Sequence, residues 1–471
     1  MGYDEFEMKS NEKFIVQGGN PLQGEITPSG NKNEALPVLA AVLLTEEPVI
    51  LHNVPDIADI RSMMDLLESL GVIIEEIGPH SLRFESRQLT HCDPDPAAAR
   101  EIRGSFLLAG PMLARYGCIR LPSPGGDRIG MRPVQTHLLA LRQLGAQIGL
   151  DSEGQYVMQT DRLCGTSIYL DEASVMATEN AIMAAVMAWG RTTIYNAACE
   201  PHVQGLCRCL LKMGAHITGI GSNLLTIDGC VRLHGAEYTI QPDHTEVGSF
   251  IGLAAVTGSQ LKIRNAGVDQ LKMIRMMFER LGVATNIEGD DLMIPAEQSL
   301  RINQESPGIP KIDDAPWPGF PADLTSIMTI VATQCKGTVL IFEKMFESRL
   351  FWVDKLISMG AQILLCDPHR AVVSGPSKLQ GMPVSSPDGI NDFTSVPGFP
   401  GMGSHGVPFM ASNSSRFHLS VGSAIGRIAL HLSTPSLVPI SCSPEMSRVP
   451  SQIPSPHLES PLYFPLDRDF K

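Results

Sequence analysis

Hydrophobic positions along the chain recur in one composite pattern. A helix-period segment ends in Leu-Gly or Met-Gly and runs into a short alternating segment: SMMDLLESLGVIIEE, HLLALRQLGAQIGL, GLCRCLLKMGAHITGI, KMIRMMFERLGVATNI and FWVDKLISMGAQILLC. The terminating glycines, Gly71, Gly145, Gly214, Gly282 and Gly360, lie 74, 69, 68 and 78 residues apart. Glycine at this place predicts a left-handed helix C-cap that turns the chain into a strand. Upstream of each amphipathic helix lies a second one: NEALPVLAAVLL, GSFLLAGPMLARYG, TENAIMAAVMAWG, EVGSFIGLAAVTG and DLTSIMTIVATQCKG. These are apolar on nearly every side, which predicts burial. Each is followed by a strand such as PVILHNV or CIRLPS. The predicted unit is therefore helix–strand–helix–strand–strand. Its length exceeds the 20–50 residues of solenoid repeats and fits compact βαβαββ-type α/β units, several to a domain.

The pattern stops after Pro387, where a sixth unit is due. Residues 388–471 hold 15 Ser and 11 Pro among 84 residues and no sustained amphipathic period, which predicts a poorly ordered tail. Two origins are open: a natural flexible tail, or a reading frame that departs near Asp388 so that the sixth unit is lost or replaced.

Composition narrows the function classes. With 43% hydrophobic and 18% charged residues the chain is globular. Its net charge of −14 argues against nucleic acid or an anionic membrane as partner. The longest apolar run, Ala35 to Leu44, is about half the roughly 20 residues that span a bilayer. The acidic start, Met1 to Glu5, lacks the order of a signal peptide. Ten cysteines without a CxxC pair predict reduced, mostly core thiols in a cytoplasmic protein and no zinc site.

Four polar clusters sit where a scaffold does not need them. Pro28-Ser29-Gly30-Asn31-Lys32-Asn33-Glu34 opens a buried helix; its backbone N–H groups and Lys32 suit an anion, or form an ordinary cap with a solvated lysine. Pro124 to His137 holds three glycines with Asp127, Arg132 and His137, offering an acid, an anion fork and an imidazole. A turn aspartate and a capping arginine are the plainer alternative, and Arg103 precedes another buried helix that can join the same cleft. Asp243-His244-Thr245-Glu246 opens a third helix, where acidic residues also serve as caps. The proline-rich Asp314 to Asp323 holds an extended segment and ends at a fourth, where an N-cap is the plainer reading of Asp323 and a surface residue that of Arg349. Walker, GxGxxG, HExxH and GxSxG motifs are absent, so no metal or redox cofactor is implied. Transfer chemistry on a phosphorylated substrate remains.

In this order, SGNKNEALP, PGGDRIGMRPVQTH, NAACEPH, PDHTEVGSF, APWPGFPADL and FESRL resemble the enolpyruvyl transferases, in particular the branch acting on a sugar nucleotide. The likeness runs from about Phe14 to about Pro387. It implies a two-domain inside-out α/β barrel of six units. One domain would span 32–241, and a discontinuous second 1–31 plus 242–387. It implies transfer of the enolpyruvyl group of phosphoenolpyruvate to the 3′-hydroxyl of UDP-N-acetylglucosamine, with release of phosphate. Lys32, Asn33, Arg103 and Arg132 match contacts to phosphoenolpyruvate. Asp127 falls where many members have a loop cysteine and others an aspartate, which implies a general acid. Asp323 matches the base beside the sugar hydroxyl, and Lys32 belongs with these two carboxylates among the catalytic groups. Arg132, Pro133, Val134, Gln135 and Thr136, with His137 next to them, Glu172, Ala173, Ser174 and Val175, and Asp323 and Met345 match the nucleotide-sugar surface. Asp243, Glu246 and Arg349 match residues lining the cleft. Two departures accompany the match. Glu172 stands where some relatives have lysine, and PDGINDF replaces the segment whose arginines help bind phosphoenolpyruvate. The alternative reading is a catalytically defective member that at most binds the UDP-sugar.

Overall fold

The structure is a computed structural model in which residues 20–87, 89, 91–125, 133–304, 307–346, 349–385 and 392–394 are described. It is a mixed α/β fold. Among the described residues the predicted unit recurs five times. The first runs through Lys32–Ala41, Val49–His52, Ala58–Leu70, Ile73–Gly78 and Ser81–Glu85, and the fifth through Thr325–Gln334, Gly337–Phe342, Val353–Ser358, Gln362–Asp367 and Arg370–Gly375. All five turn glycines have positive φ, 104° at Gly71 for example, where Gly71 N–H closes the helix onto Glu68 O. The amphipathic helices end there because only glycine takes that conformation without strain.

Each unit contributes an antiparallel three-stranded sheet, and four of these gain a parallel edge strand. The edge strand need not come from the same stretch of chain. Glu237–Thr239 pairs with Val49–His52, and Gln23–Ile26 pairs with Gln260–Ile263. The chain thus passes twice between its halves, and the two passes touch: Asn31 N–H donates to Gln241 O (2.8 Å) and Asp243 N–H to Ser29 O (2.9 Å).

The second helices of the units are the core, as their all-round apolar character predicts. In Lys32–Ala41, Val175–Ala185 and His244–Thr257 most residues are buried. Buried apolar side chains fall into two separate clusters, one drawn from residues 35–240 and one from 247–379. No helix among the described residues is long and apolar enough to cross a membrane.

Two expectations need correction. Cys92 and Cys118 are joined by a disulfide, because the segment before Pro96–Glu101 lies beside the first residue of strand Cys118–Leu121, with Cα atoms 6.0 Å apart. Of the free cysteines described, Cys207, Cys209 and Cys335 are buried, Cys199 and Cys230 half-buried, and Cys164 and Cys366 exposed, so core placement is not the rule. The tail reading falls on residues outside the described set, apart from a short strand, Asp392–Thr394, antiparallel to Pro383–Ser385.

Candidate active site

Helix Lys32–Ala41 begins at Asn31, whose side-chain oxygen accepts from Glu34 N–H (3.1 Å). This cap leaves Lys32 and Asn33 half-buried at the helix mouth. Lys32 Nζ lies 3.1 Å from Asp59 Oδ2. From the other half of the chain, Asp323 arrives in the turn Ala322–Leu324 after the extended proline segment. It does not cap its helix. Its Oδ1 instead accepts from Arg349 Nη2 (2.8 Å), so Arg349 is a buried partner and not a surface residue. The Arg349 guanidinium also lies over the Phe346 ring, 4.4 Å from its centre.

Asp323 keeps 42% of its side-chain surface accessible while lying deep among protein atoms, as a group facing an open cleft does. Burial raises its pKa. The charge and hydrogen bond of Arg349, then the charge of Lys32, outweigh that and hold it below the usual carboxylate range. Lys32 and Asp323, from opposite halves of the chain, thus share one electrostatic environment.

Around them stand residues that the sequence reading passed over. His202 and His244 stack with ring centres 6.4 Å apart, and Asn31 Nδ2 donates to His244 Nδ1 (3.3 Å). Burial, then His244, pushes His202 down to about 3, so it is neutral. Glu200 Oε1 accepts from Trp317 N–H (3.4 Å), and Cys199 Sγ donates to Trp317 O (3.2 Å), tying NAACEPH to APWPGFPADL. Both motifs are visible in the sequence, but their contact across 117 positions is not.

The remaining candidates take several positions. Asp243 caps helix His244–Thr257, accepting from Thr245 N–H (2.8 Å) and Glu246 N–H (3.3 Å), and Glu246 Oε2 accepts from Ser29 N–H (2.6 Å). These two acidic residues therefore hold the crossing point of the chain. Arg103 Nη2 reaches Pro133 O at 3.5 Å. Thr136 Oγ1 donates to Asp171 Oδ1 (2.7 Å) and lies 3.4 Å from Glu172 Oε1, which brings Pro133, Val134, Gln135 and Thr136 beside Glu172, Ala173, Ser174 and Val175. His137 is only 2% exposed: its ring packs edge-on against Phe106, and Asn180 Nδ2 donates to its Nδ1 (2.9 Å). Met345 is partly exposed, with its N–H on Asp314 Oδ2 (3.1 Å). Asp127 and Arg132 lie outside the described residues. Gly125, at the start of their loop, has a packing reason for being glycine: a Cβ there would sit 1.7 Å from Arg100 O. Among the described residues no cluster of three or more His, Cys, Asp or Glu could hold a metal ion.

Behind the cleft, helix Pro201–Lys212 packs Gly205 against the buried Glu34 carboxyl, where a Cβ would lie 2.2 Å from Glu34 Cδ. Gly205→Ala is therefore expected to destabilise the protein by about 1–3 kcal/mol, checked by urea unfolding. An unchanged midpoint would mean that Glu34 swings aside freely.

Comparison with known proteins was made on this basis. The family model described as EPSP synthase (3-phosphoshikimate 1-carboxyvinyltransferase) matches residues 16–388. A UDP-N-acetylglucosamine 1-carboxyvinyltransferase of Bradyrhizobium diazoefficiens is 54% identical over 377 residues, covering 80% of this chain and 87% of its own. One of Treponema denticola is 54% identical, covering 80% and 88%. Among solved structures, the enolpyruvyl transferase NikO from Streptomyces tendae superposes with a TM-score of 0.67 at 21% identity, over 78% of this chain and 85% of that one. EPSP synthase from Acinetobacter baumannii gives a TM-score of 0.59 at 18% identity, over 77% and 84%. At such identities the structures bear on fold alone.

Proposed function

Because the chain belongs to the EPSP synthase family of enolpyruvyl transferases, we propose that it moves the enolpyruvyl group of phosphoenolpyruvate onto the 3′-hydroxyl of UDP-N-acetylglucosamine and releases phosphate, the first committed step of peptidoglycan synthesis. The observation that carries this reading is the shared environment of Lys32 and Asp323, a cation and a carboxylate from opposite halves of the chain. The sugar-nucleotide branch is favoured by relatives more than 50% identical that carry that activity in their names. The fold reading is two inside-out barrels, 32–241 and 1–31 plus 242–387. The two separate buried clusters support it. Both substrates are polyanions that do not cross a bilayer unaided, which supports a cytoplasmic site of action.

The reaction is an addition followed by an elimination. An acid protonates the methylene carbon of phosphoenolpyruvate, the sugar oxygen attacks the adjacent carbon, and a base takes the hydroxyl proton. The tetrahedral ketal then loses a methyl proton and phosphate. Asp127 is the proposed acid and Asp323 the proposed base. Asp323 is ionised in the free protein because Arg349 and Lys32 stabilise its charge. When the trianionic substrate draws on Lys32, Asn33, Arg103 and Arg132, part of that stabilisation is withdrawn, and Asp323 becomes a better proton acceptor. Pro133, Val134, Gln135, Thr136, Glu172, Ala173, Ser174, Val175 and Met345 form the proposed sugar-nucleotide wall. His137 sits behind that wall and supports it.

Calorimetric titration tests the binding half: UDP-N-acetylglucosamine should bind, and Lys32→Ala should weaken capture of phosphoenolpyruvate. Absence of both effects would overturn the assignment. The aspartate at position 127 also predicts that fosfomycin, which alkylates the cysteine of other members, leaves the enzyme active, while Asp127→Cys becomes inhibitable. A covalent fosfomycin adduct on the unaltered loop would contradict the role given to Asp127.

A further inference from the structure

A second group of polar atoms, unused by the reaction above, lies behind Asp323. Glu343, just after strand Gly337–Phe342, is 0% exposed, and Asp314, just after strand Lys311–Asp313, is 1% exposed. The Glu343 carboxyl faces Asp314, Thr325 at the start of helix Thr325–Gln334, and the Arg349 guanidinium. Among the described residues, neither Glu343 oxygen, nor Thr325 Oγ1, nor Arg349 Nε has a well-formed hydrogen bond. Four buried polar atoms without a close partner, on Glu343 and two side chains that interact with it, call for a physical reason.

Protonation supplies it. Two carboxylates side by side in a dry pocket do not both ionise, so one proton is shared between them. Asp314 already accepts from two backbone N–H groups, those of Lys344 and Met345, whereas among the described residues the Glu343 oxygens accept from none. The proton therefore belongs on Glu343. Burial first, then Asp314, pushes its carboxyl up to about 9. A neutral acid offers one donor and one acceptor: the donor suits Asp314, and the acceptor suits Arg349 Nε–H and Thr325 O–H. An ionised Glu343 would instead compete with Asp323 for the same guanidinium. The other charged neighbours point elsewhere. Lys344 Nζ pairs with Asp313 Oδ2, and the His369 ring reaches only the Glu343 backbone oxygen (2.8 Å).

We propose that Glu343 is a positioning residue for the transfer reaction, a neutral acid bridging Asp314 and Arg349 that keeps the guanidinium on Asp323. The kinetic part of this inference rests on the reaction proposed above. Glu343→Gln preserves one donor and one acceptor and cannot ionise; Glu343→Leu removes both. The Gln variant is expected to hold kcat/KM for phosphoenolpyruvate within about threefold of wild type at pH 7.5 and to lack the alkaline decline expected of wild type near pH 9. The Leu variant is expected to fall by about tenfold or more. Equal losses in both variants, or an alkaline limb unchanged in Glu343→Gln, would overturn the positioning role.

Melting temperature gives a readout that needs no turnover. The folded pKa lies above the ordinary 4.5, so Glu343 costs wild type stability as pH rises from 4.5 towards 9, a contribution the Gln variant lacks. The Tm of Glu343→Gln should therefore gain on wild type steadily between pH 5 and 9 and level off above. A constant difference would overturn the shared proton. If wild type shows no turnover at all, the reaction reading fails and the positioning role with it, while the melting series still judges the shared proton.

Discussion

Replacing Asp323 with Asn is expected to lower kcat by about 10²- to 10⁴-fold while leaving the fold intact. The carboxylate is open to solvent, ionised, bonded to Arg349 and within the field of Lys32, a cation from each half of the chain. Asparagine keeps the shape and an oxygen for Arg349 Nη2, but it cannot take a proton from the sugar hydroxyl. Phosphate release under saturating substrates measures kcat, and thermal melting controls for folding. A variant with normal melting and normal kcat would remove Asp323 from the role of base.

The second large effect concerns pH and stability. Glu34 is buried, and desolvation raises its carboxyl from 4.5 to about 7, despite hydrogen bonds from Tyr238 O–H (2.7 Å) and Gln241 N–H (3.3 Å) to its Oε1. A folded pKa above the unfolded one means that the folded state holds the proton longer. Its contribution to stability is complete below about pH 4.5 and is lost as pH rises through 7. Relative to Glu34→Gln, wild type should lose about 2–3 kcal/mol between pH 5 and pH 8 in urea unfolding. Glu179, fully buried and raised by desolvation and then by Glu200 and Glu34, adds a loss of the same sign to the wild-type curve. A wild-type-to-variant difference that stays flat, or widens in favour of wild type at alkaline pH, would contradict the burial argument.

Much of the fold was legible because its signals are local. Five glycines at one phase of a recurring pattern mark five helix ends, and all five adopt positive φ. Helices such as Val175–Ala185, apolar all round, could only be interior. The pairing of Gln23–Ile26 with Gln260–Ile263 has no local signature, and the resemblance implied only that residues 1–31 belong with the second domain. The candidate site divides in the same way. Lys32 and Asp323 stood out as polar residues opening apolar helices. Whether Asp243 capped its helix or lined a cleft was undecidable from spacing, and the hydrogen bonds show a cap. Arg349 read equally well as a surface residue, because burial depends on the segment folding back over Asp323 and Phe346. His202, His244 and the Glu343 group were missed because a buried histidine or glutamate acquires its meaning from neighbours distant in sequence. Cys92 and Cys118, 26 residues apart, likewise carry no motif that announces their pairing.

The most direct measurement is phosphate release from the full-length chain when phosphoenolpyruvate and UDP-N-acetylglucosamine are mixed, with the sugar product weighed by mass spectrometry. The account predicts phosphate only when both substrates are present, and a nucleotide sugar heavier by one enolpyruvyl group. Binding of the nucleotide sugar with neither phosphate nor a heavier product would contradict it and mark the chain as a non-catalytic member of its family.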